Sequence, residues 1–228
     1  MTLTKSNESI GLLFAISAYF SFSILDVMQK TAVINHSIFQ LLLVKYSFTL
    51  FLTFFESKRK NNPRFYYSKN IKLQIFRGLL SLLESCCFVL AFRYLSLANA
   101  HSVGSTAPII IVALSAIILK EKVSAKTWGA IFIGFIGVLI ILRPTSSIFD
   151  PKSLLPLGGA FFLGLYQIVT KKSSEYDPPE VSLFFSSIVG ILISSFLAFF
   201  LWTPLNLNSY FLFLGIGIFF SLGLYFHI

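Results

Sequence analysis

Eight apolar runs, parted by short stretches of charged and turn-forming residues, constrain this chain more than any motif in it. A helix rising about 1.5 Å per residue needs about 20 apolar residues to cross a hydrocarbon core about 30 Å thick. With no water there to bond its amides, a spanning segment is helical or belongs to a closed barrel. The runs cover about 10–27, 38–55, 73–95, 100–119, 127–142, 154–170, 181–202 and 210–226. Eight such spans take up about 160 residues at that length and leave no separate soluble domain. The predicted fold is therefore an all-α integral membrane protein, a compact bundle of about eight transmembrane helices. Only 12% of residues are charged and 56% are hydrophobic. That is half the charge of a soluble domain, which excludes a disordered chain, a nucleic-acid-binding domain and an ordinary cytosolic enzyme. The first run reads as a retained helix, because Lys5 is its only leading cation and no small-residue cleavage site follows.

The net charge of +9 is distributed unevenly. Twelve cations fall on one side: Lys5, the six at Lys58, Arg59, Lys60, Arg64, Lys69 and Lys72, then Lys120, Lys122, Lys126, Lys171 and Lys172. Four, Lys30, Arg93, Arg143 and Lys152, fall on the other. The positive-inside bias puts the N-terminus in the cytoplasm, and the run at Lys58–Lys60 reads as an anchor to anionic lipid. Spans three and four are joined by little more than Ser96 to Asn99, so they are antiparallel neighbours.

Ionisable residues inside spans cost roughly 2.5–3.5 kcal/mol each at the bilayer centre and so face a partner or a wet cavity. Counting at about 1.5 Å per residue, Lys45 lies roughly 10 Å from one surface and Glu84 roughly 16 Å from the other, nearly one level. They are predicted to form an intramembrane ion pair, either lining a cavity or fixing helix register. Arg77, one turn into its span, has two readings: it snorkels to the cytoplasmic edge, or it continues a polar stripe with Ser81 and Glu84. Asp26 and Lys30 are four apart, a helix-end pair or a site for a coupling proton. Pro108 interrupts span four, behind His101, and such broken helices often line carrier sites. Tyr166 and Gln167 offer neutral hydrogen bonds to a cavity, and Gly134 and Gly137 read as close helix packing. The adjacent Cys86 and Cys87 support neither a disulfide framework nor a metal site. His36, His101 and His227 are too scattered to cluster, and no phosphate-binding glycine loop occurs. No cofactor, metal or nucleic-acid partner is expected.

The chain also repeats itself weakly. Gly11-Leu-Leu-Phe-Ala is echoed by Gly159-Ala-Phe-Phe-Leu, and Ser37-Ile-Phe-Gln-Leu-Leu-Leu by Val181-Ser-Leu-Phe-Phe-Ser-Ser. A five-helix unit is odd, so its second copy inserts upside down, the inverted-repeat plan of many secondary transporters. The expected organisation is a cytoplasmic N-terminus at 1–9, one complete five-helix repeat at 10–144, and an incomplete inverted second repeat of three helices at 154–228.

With these features, the sequence resembles the EamA family of the drug/metabolite transporter superfamily. The resemblance rests on Trp128 to Pro144, with its glycines and terminal Arg-Pro, on Ala107-Pro108, and on the Leu119-Lys-Glu ending that places Glu121. Asp26 and Lys30 match the close of the family's first helix, and Arg77 the opening of its third. Lys45 stands where relatives commonly carry Arg, which keeps the charge and loses the bidentate fork. The resemblance implies a carrier built of two inverted five-helix repeats around a central cavity. It predicts a secondary transporter, not an enzyme, moving a small polar or zwitterionic metabolite, amino-acid-like or S-adenosylmethionine-like, through the cytoplasmic membrane of a bacterium. Its partners are then the solute and membrane lipid. The alternative is a shortened, non-transporting chain that needs a partner, for which a homodimer is one form.

Overall fold

A computed structural model describes residues 5–142 and 151–227. Arg143, Pro144 and the repeat boundary drawn there lie outside the described residues, as do residues 1–4. Nine helices follow in order among the described residues: α1 Lys5–Asn35, α2 Ile38–Arg59, α3 Ile71–Tyr94, α4 Leu97–Gly104, α5 Ala107–Ile118, α6 Ala125–Leu142, α7 Leu154–Ser173, α8 Pro179–Phe200 and α9 Leu207–His227. All eight expected runs are helical. Seven stretches are long and apolar enough to cross a membrane, with α4 and α5 counted as one. The apolar part of α6, Ala125–Gly137, is shorter.

Helix ends follow local chemistry. Ser37 caps α2 in a capping box: the Phe39 amide donates to its hydroxyl while its own amide donates to Gln40 Oε1. Ser96 and Asn70 cap α4 and α3 by accepting from the amides of Asn99 and Leu73. Span four does not merely bend at its proline. Pro108 has no amide to donate and clashes with the carbonyl four residues back, so α4 stops at Gly104 and α5 restarts with Pro108 in its first turn. α1 runs on to Asn35 rather than stopping near Val27, because Ala32 and Val33 are fully buried in the core.

Three packings dominate: α2 along α8, α1 along α9 and α3 along α7, followed by α2 on α9 and α3 on α8. Exchanging α1, α2 and α3 for α7, α8 and α9 maps this set of packings onto itself. The core they enclose includes Leu25, Val33, Leu41, Tyr46, Phe92 and Ile216. Large apolar side chains such as Phe196, Phe199 and Phe200 face outward, as a lipid-contacting surface requires.

The central α2–α8 contact is held at three heights. In the middle, Gly190 lies against Tyr46, where a Cβ would come 2.3 Å from the ring. At one end Gln40 Nε2 donates to the Thr203 carbonyl at 2.8 Å, and Thr203 Oγ1 donates to Gln40 Oε1 at 2.7 Å. At the other end, called the basic end for its Lys and Arg residues, Lys60 pairs with Glu180 at 2.7 Å. Gly134 and Gly137 do not pack as expected: nothing lies within 4 Å of a Cβ built on either. The reason is position, since α6 sits at the rim and meets mainly α4 and α5.

Candidate functional site

A cavity of about 610 Å³ opens between α1, α2, α3, α4, α7, α8 and α9. Such a volume lies in the usual range for small-molecule sites. Lys45, Glu84, Tyr166, Gln167 and Asp26 all line it. Arg77, Pro108 and Lys30 do not.

Lys45 and Glu84 share a level but do not touch. The Lys45 ammonium donates to Ser85 Oγ at 2.8 Å, and that hydroxyl donates to Glu84 Oε2 at 3.0 Å. Successive helix residues diverge by about 100°, so Ser85 aims at α2 while Glu84 turns into the cavity. The expected direct ion pair is thus a relay through one hydroxyl. The ammonium also sits 4.2 Å from the centre of the Phe220 ring, a cation–π contact from α9. Tyr46 closes this wall, its hydroxyl 3.3 Å from Ser81 Oγ.

Asp26 and Lys30 do not pair with each other either. Lys30 donates to the carbonyls of Phe92 and, at 2.9 Å, Leu95. These belong to the last turn and the C-cap of α3, where carbonyls lack helical partners and the helix dipole favours a cation. Asp26 is left for His101, whose Nε2 lies 3.2 Å from Asp26 Oδ2. His101 lines the cavity from α4 and is half exposed.

Arg77 does not snorkel. It is 2% exposed, and all five of its N–H donors are committed. Nε donates to Gln74 Oε1 at 3.2 Å, and Nη1 to Tyr166 OH at 2.9 Å and Thr170 Oγ1 at 3.5 Å. Nη2 donates to the Ser182 carbonyl and to Ser186 Oγ at 2.8 Å. The guanidinium therefore lies behind the cavity wall and holds Tyr166 and Ser186, which do line it. From there the network continues to the basic end: Gln74 Nε2 donates to Asp177 Oδ2 at 2.9 Å, and the Lys69 amide to Asp177 Oδ1 at 3.0 Å. Burial pushes the Asp177 carboxyl up, but hydrogen bonds from Ser68, Gln74 and the Lys69 amide, with the Lys69 charge, hold it below the usual carboxylate range.

Beside this network Glu56 pairs with Arg59 at 2.9 Å, and Arg59 lies over the Tyr225 ring. Glu121 meets Lys171 at the surface, away from the cavity. Pro108 is exposed, while Gly104 and Ser105 just before it line the cavity. Ser85, His101, Phe220 and Ser186 are site residues with no individual signal in the sequence beyond the position of His101. Among the described residues no group of three or more His, Cys, Asp or Glu is placed to hold a metal ion.

The profile of the EamA-like transporter family matches residues 9–143, more than half of the chain. A riboflavin transporter of Vibrio cholerae is 43% identical over 75 residues, 33% of this chain and 25% of that protein. An S-adenosylmethionine uptake transporter of Rickettsia prowazekii is 26% identical over 135 residues, covering 57% of this chain and 46% of that one. The pseudopaline exporter CntI of Pseudomonas aeruginosa is 20% identical over 217 residues, 93% of this chain and 75% of the exporter. The chain thus spans half or less of the length of the first two of these relatives. A solved crystal structure shares the fold at a TM-score of 0.68 and 17% identity, over 96% of this chain and 79% of that one.

Proposed function

We propose that this chain, which belongs to the EamA-like transporter family, serves as a secondary transporter of a small polar or zwitterionic metabolite. The observation that carries the reading is the wall formed by Lys45, Ser85 and Glu84, opposite charges inside one cavity at mid-bundle. Each ion keeps capacity: the ammonium has three donors and one protein hydrogen bond, and the carboxylate is bonded through one oxygen. A solute bearing both signs gives its carboxylate to Lys45 and its cationic group to Glu84, offsetting the desolvation that buried ions suffer. Tyr46, Phe88, Tyr166 and Phe220 supply the apolar remainder of the surface. An S-adenosylmethionine-like or amino-acid-like solute fits this chemistry, and the relatives named above are transporters of small metabolites.

The basic end then faces the cytoplasm of a bacterium, with the N-terminus on the same side, by the positive-inside bias. The exchange symmetry of the packings supports reading 10–144 and 154–228 as related, inverted units. The same symmetry favours a second reading, dependence on a further chain. α5 covers α7, whereas α1, the counterpart of α7, presents Leu12, Leu13, Ile16 and Phe20 outward.

The test is uptake of labelled S-adenosylmethionine and a panel of amino acids by cells producing the chain. Lys45→Gln and Glu84→Gln are expected to abolish uptake with membrane insertion intact; unchanged uptake in both rejects the assignment. The mass in detergent addresses the second reading, which a stable homodimer supports.

A further inference from the structure

We propose that Asp26 and His101 form a proton-binding latch that ties α4 to α1 and couples the proton to solute movement; the coupling half rests on the transport reading above. The two side chains meet at 3.2 Å on the cavity wall, where Asp26 is 24% and His101 48% exposed. An imidazole is the side chain whose ordinary titration falls between pH 5 and 8. When the proton is bound, Nε2–H donates to the Asp26 carboxylate as a charge-assisted bond, about twice as strong as a neutral one. When the ring releases the proton to cavity water, one N–H bond breaks and one O–H bond forms on the water, and the contact loses its ion-pair attraction, keeping at most a hydrogen bond between a neutral ring and the carboxylate.

Most polar neighbours have their own hydrogen-bond partners, while Lys45 and Glu84 act on Asp26 across the cavity through their charges. On α1, Lys30 is engaged with the carbonyls of Phe92 and Leu95. α3 contributes Glu84, bonded by Ser85, and the outward Arg93. α2 contributes Lys45, bonded to Ser85, and α7 contributes Tyr166, bonded to Arg77. α9 faces the cavity with Phe220 and Leu224, and the single charged residue of α6, Lys126, stands in its first turn.

The mechanical setting makes the bond consequential. α4 has only eight residues, is severed from α5 at Ser105 and Thr106, and meets α1 over a small area. The joint itself, through Gly104 and Ser105, lines the cavity. Strengthening or weakening one bond between α1 and α4 therefore biases a short rigid piece that forms the cavity rim. Protonation closes the rim and deprotonation frees it, the two-state element that coupling requires.

Two measurements test this on the full chain in liposomes of phosphatidylethanolamine and phosphatidylglycerol. The first is a pulsed-EPR distance between spin labels at Thr31→Cys and Ala98→Cys, both outward-facing, with Cys86 and Cys87 replaced by Ser. The distance is expected to lengthen between pH 5.5 and 8.5, and to lose that response in His101→Gln and in Asp26→Asn. No pH response in the parent, or an equal response in His101→Gln, overturns the latch. The second is accumulation of labelled S-adenosylmethionine against a pH gradient, expected to change about tenfold per pH unit for one coupled proton, and to lose that dependence in His101→Gln. A pH-responsive distance with no transport by the parent refutes the transport reading and leaves the latch standing. Transport with a pH dependence that survives His101→Gln refutes the coupling.

Discussion

Replacing Arg77 with Lys separates two accounts of a charge near a membrane surface. A snorkelling arginine tolerates lysine, whose similar reach and equal charge serve as well. A guanidinium holding five acceptors does not. Lysine brings three donors on a tetrahedral head, so at least two of Gln74, Tyr166, Thr170, Ser182 and Ser186 lose their partner. Hydrogen bonds from a charged group contribute about 1.5–3 kcal/mol each, so two lost bonds amount to about 3–6 kcal/mol before relaxation. Side-chain adjustment recovers part of this, and a loss of about 3 kcal/mol is expected, equivalent to about 6–12 °C in midpoint for a chain of this size. Thermal unfolding of the detergent-solubilised protein, followed by loss of its monodisperse chromatographic peak, measures the shift. A midpoint within 2 °C of the parent would refute the buried-hub reading. Tyr166 and Ser186 line the cavity, so the same variant is also expected to raise the KM for transport.

Other substitutions probe the remaining features. Gly190→Leu drives a side chain into the Tyr46 ring and is expected to destabilise the fold by about 1–3 kcal/mol, read from the same thermal assay. Ser85→Ala removes the hydroxyl between Lys45 and Glu84, and an approximately tenfold loss of transport efficiency is expected from one charge-assisted bond. Asp177 is held below the ordinary carboxylate range, so its contribution is full above the unfolded value near pH 4 and fades as pH falls through the folded one. Asp177→Asn is therefore expected to be less stable than the parent at pH 7, with the gap closing in strong acid. A gap that widens on acidification contradicts the assignment.

The spans were legible because length and hydropathy are one-dimensional, and so was the level shared by Lys45 and Glu84, a matter of rise per residue. Rotation was not. The turn of about 100° between Glu84 and Ser85 decides which of them meets α2, and a one-residue difference in facing is invisible without the neighbour. The spacing of Asp26 and Lys30 permitted a pair, but the open carbonyls of α3, more than 60 residues away, compete for the ammonium. Arg77 shares a helical spacing with Ser81 and Glu84, but its burial behind the cavity wall depends on α7 and α8, which no local pattern around it announces. Gly134 and Gly137 carried a packing motif without a partner, while Gly190, in a plainer context, makes the tight approach.

The pinning of α2 to α8 at three heights has a consequence for how such a protein moves. Two antiparallel rods fastened at top, middle and bottom behave as an axle, and an axle does not open. On the transport reading proposed above, alternating exposure of the cavity comes from the elements hung on it, α1 and α9 on one flank and α3, α4 and α7 on the other. α2 and α8 form one wall of the cavity, so a few degrees of rotation of the other walls translate into displacements that grow with distance from that axis. α4, short and jointed, rides at the outer end of that lever. Changes at the three contacts that pin the axle should therefore register first as stability, and changes at the swinging edge as rate.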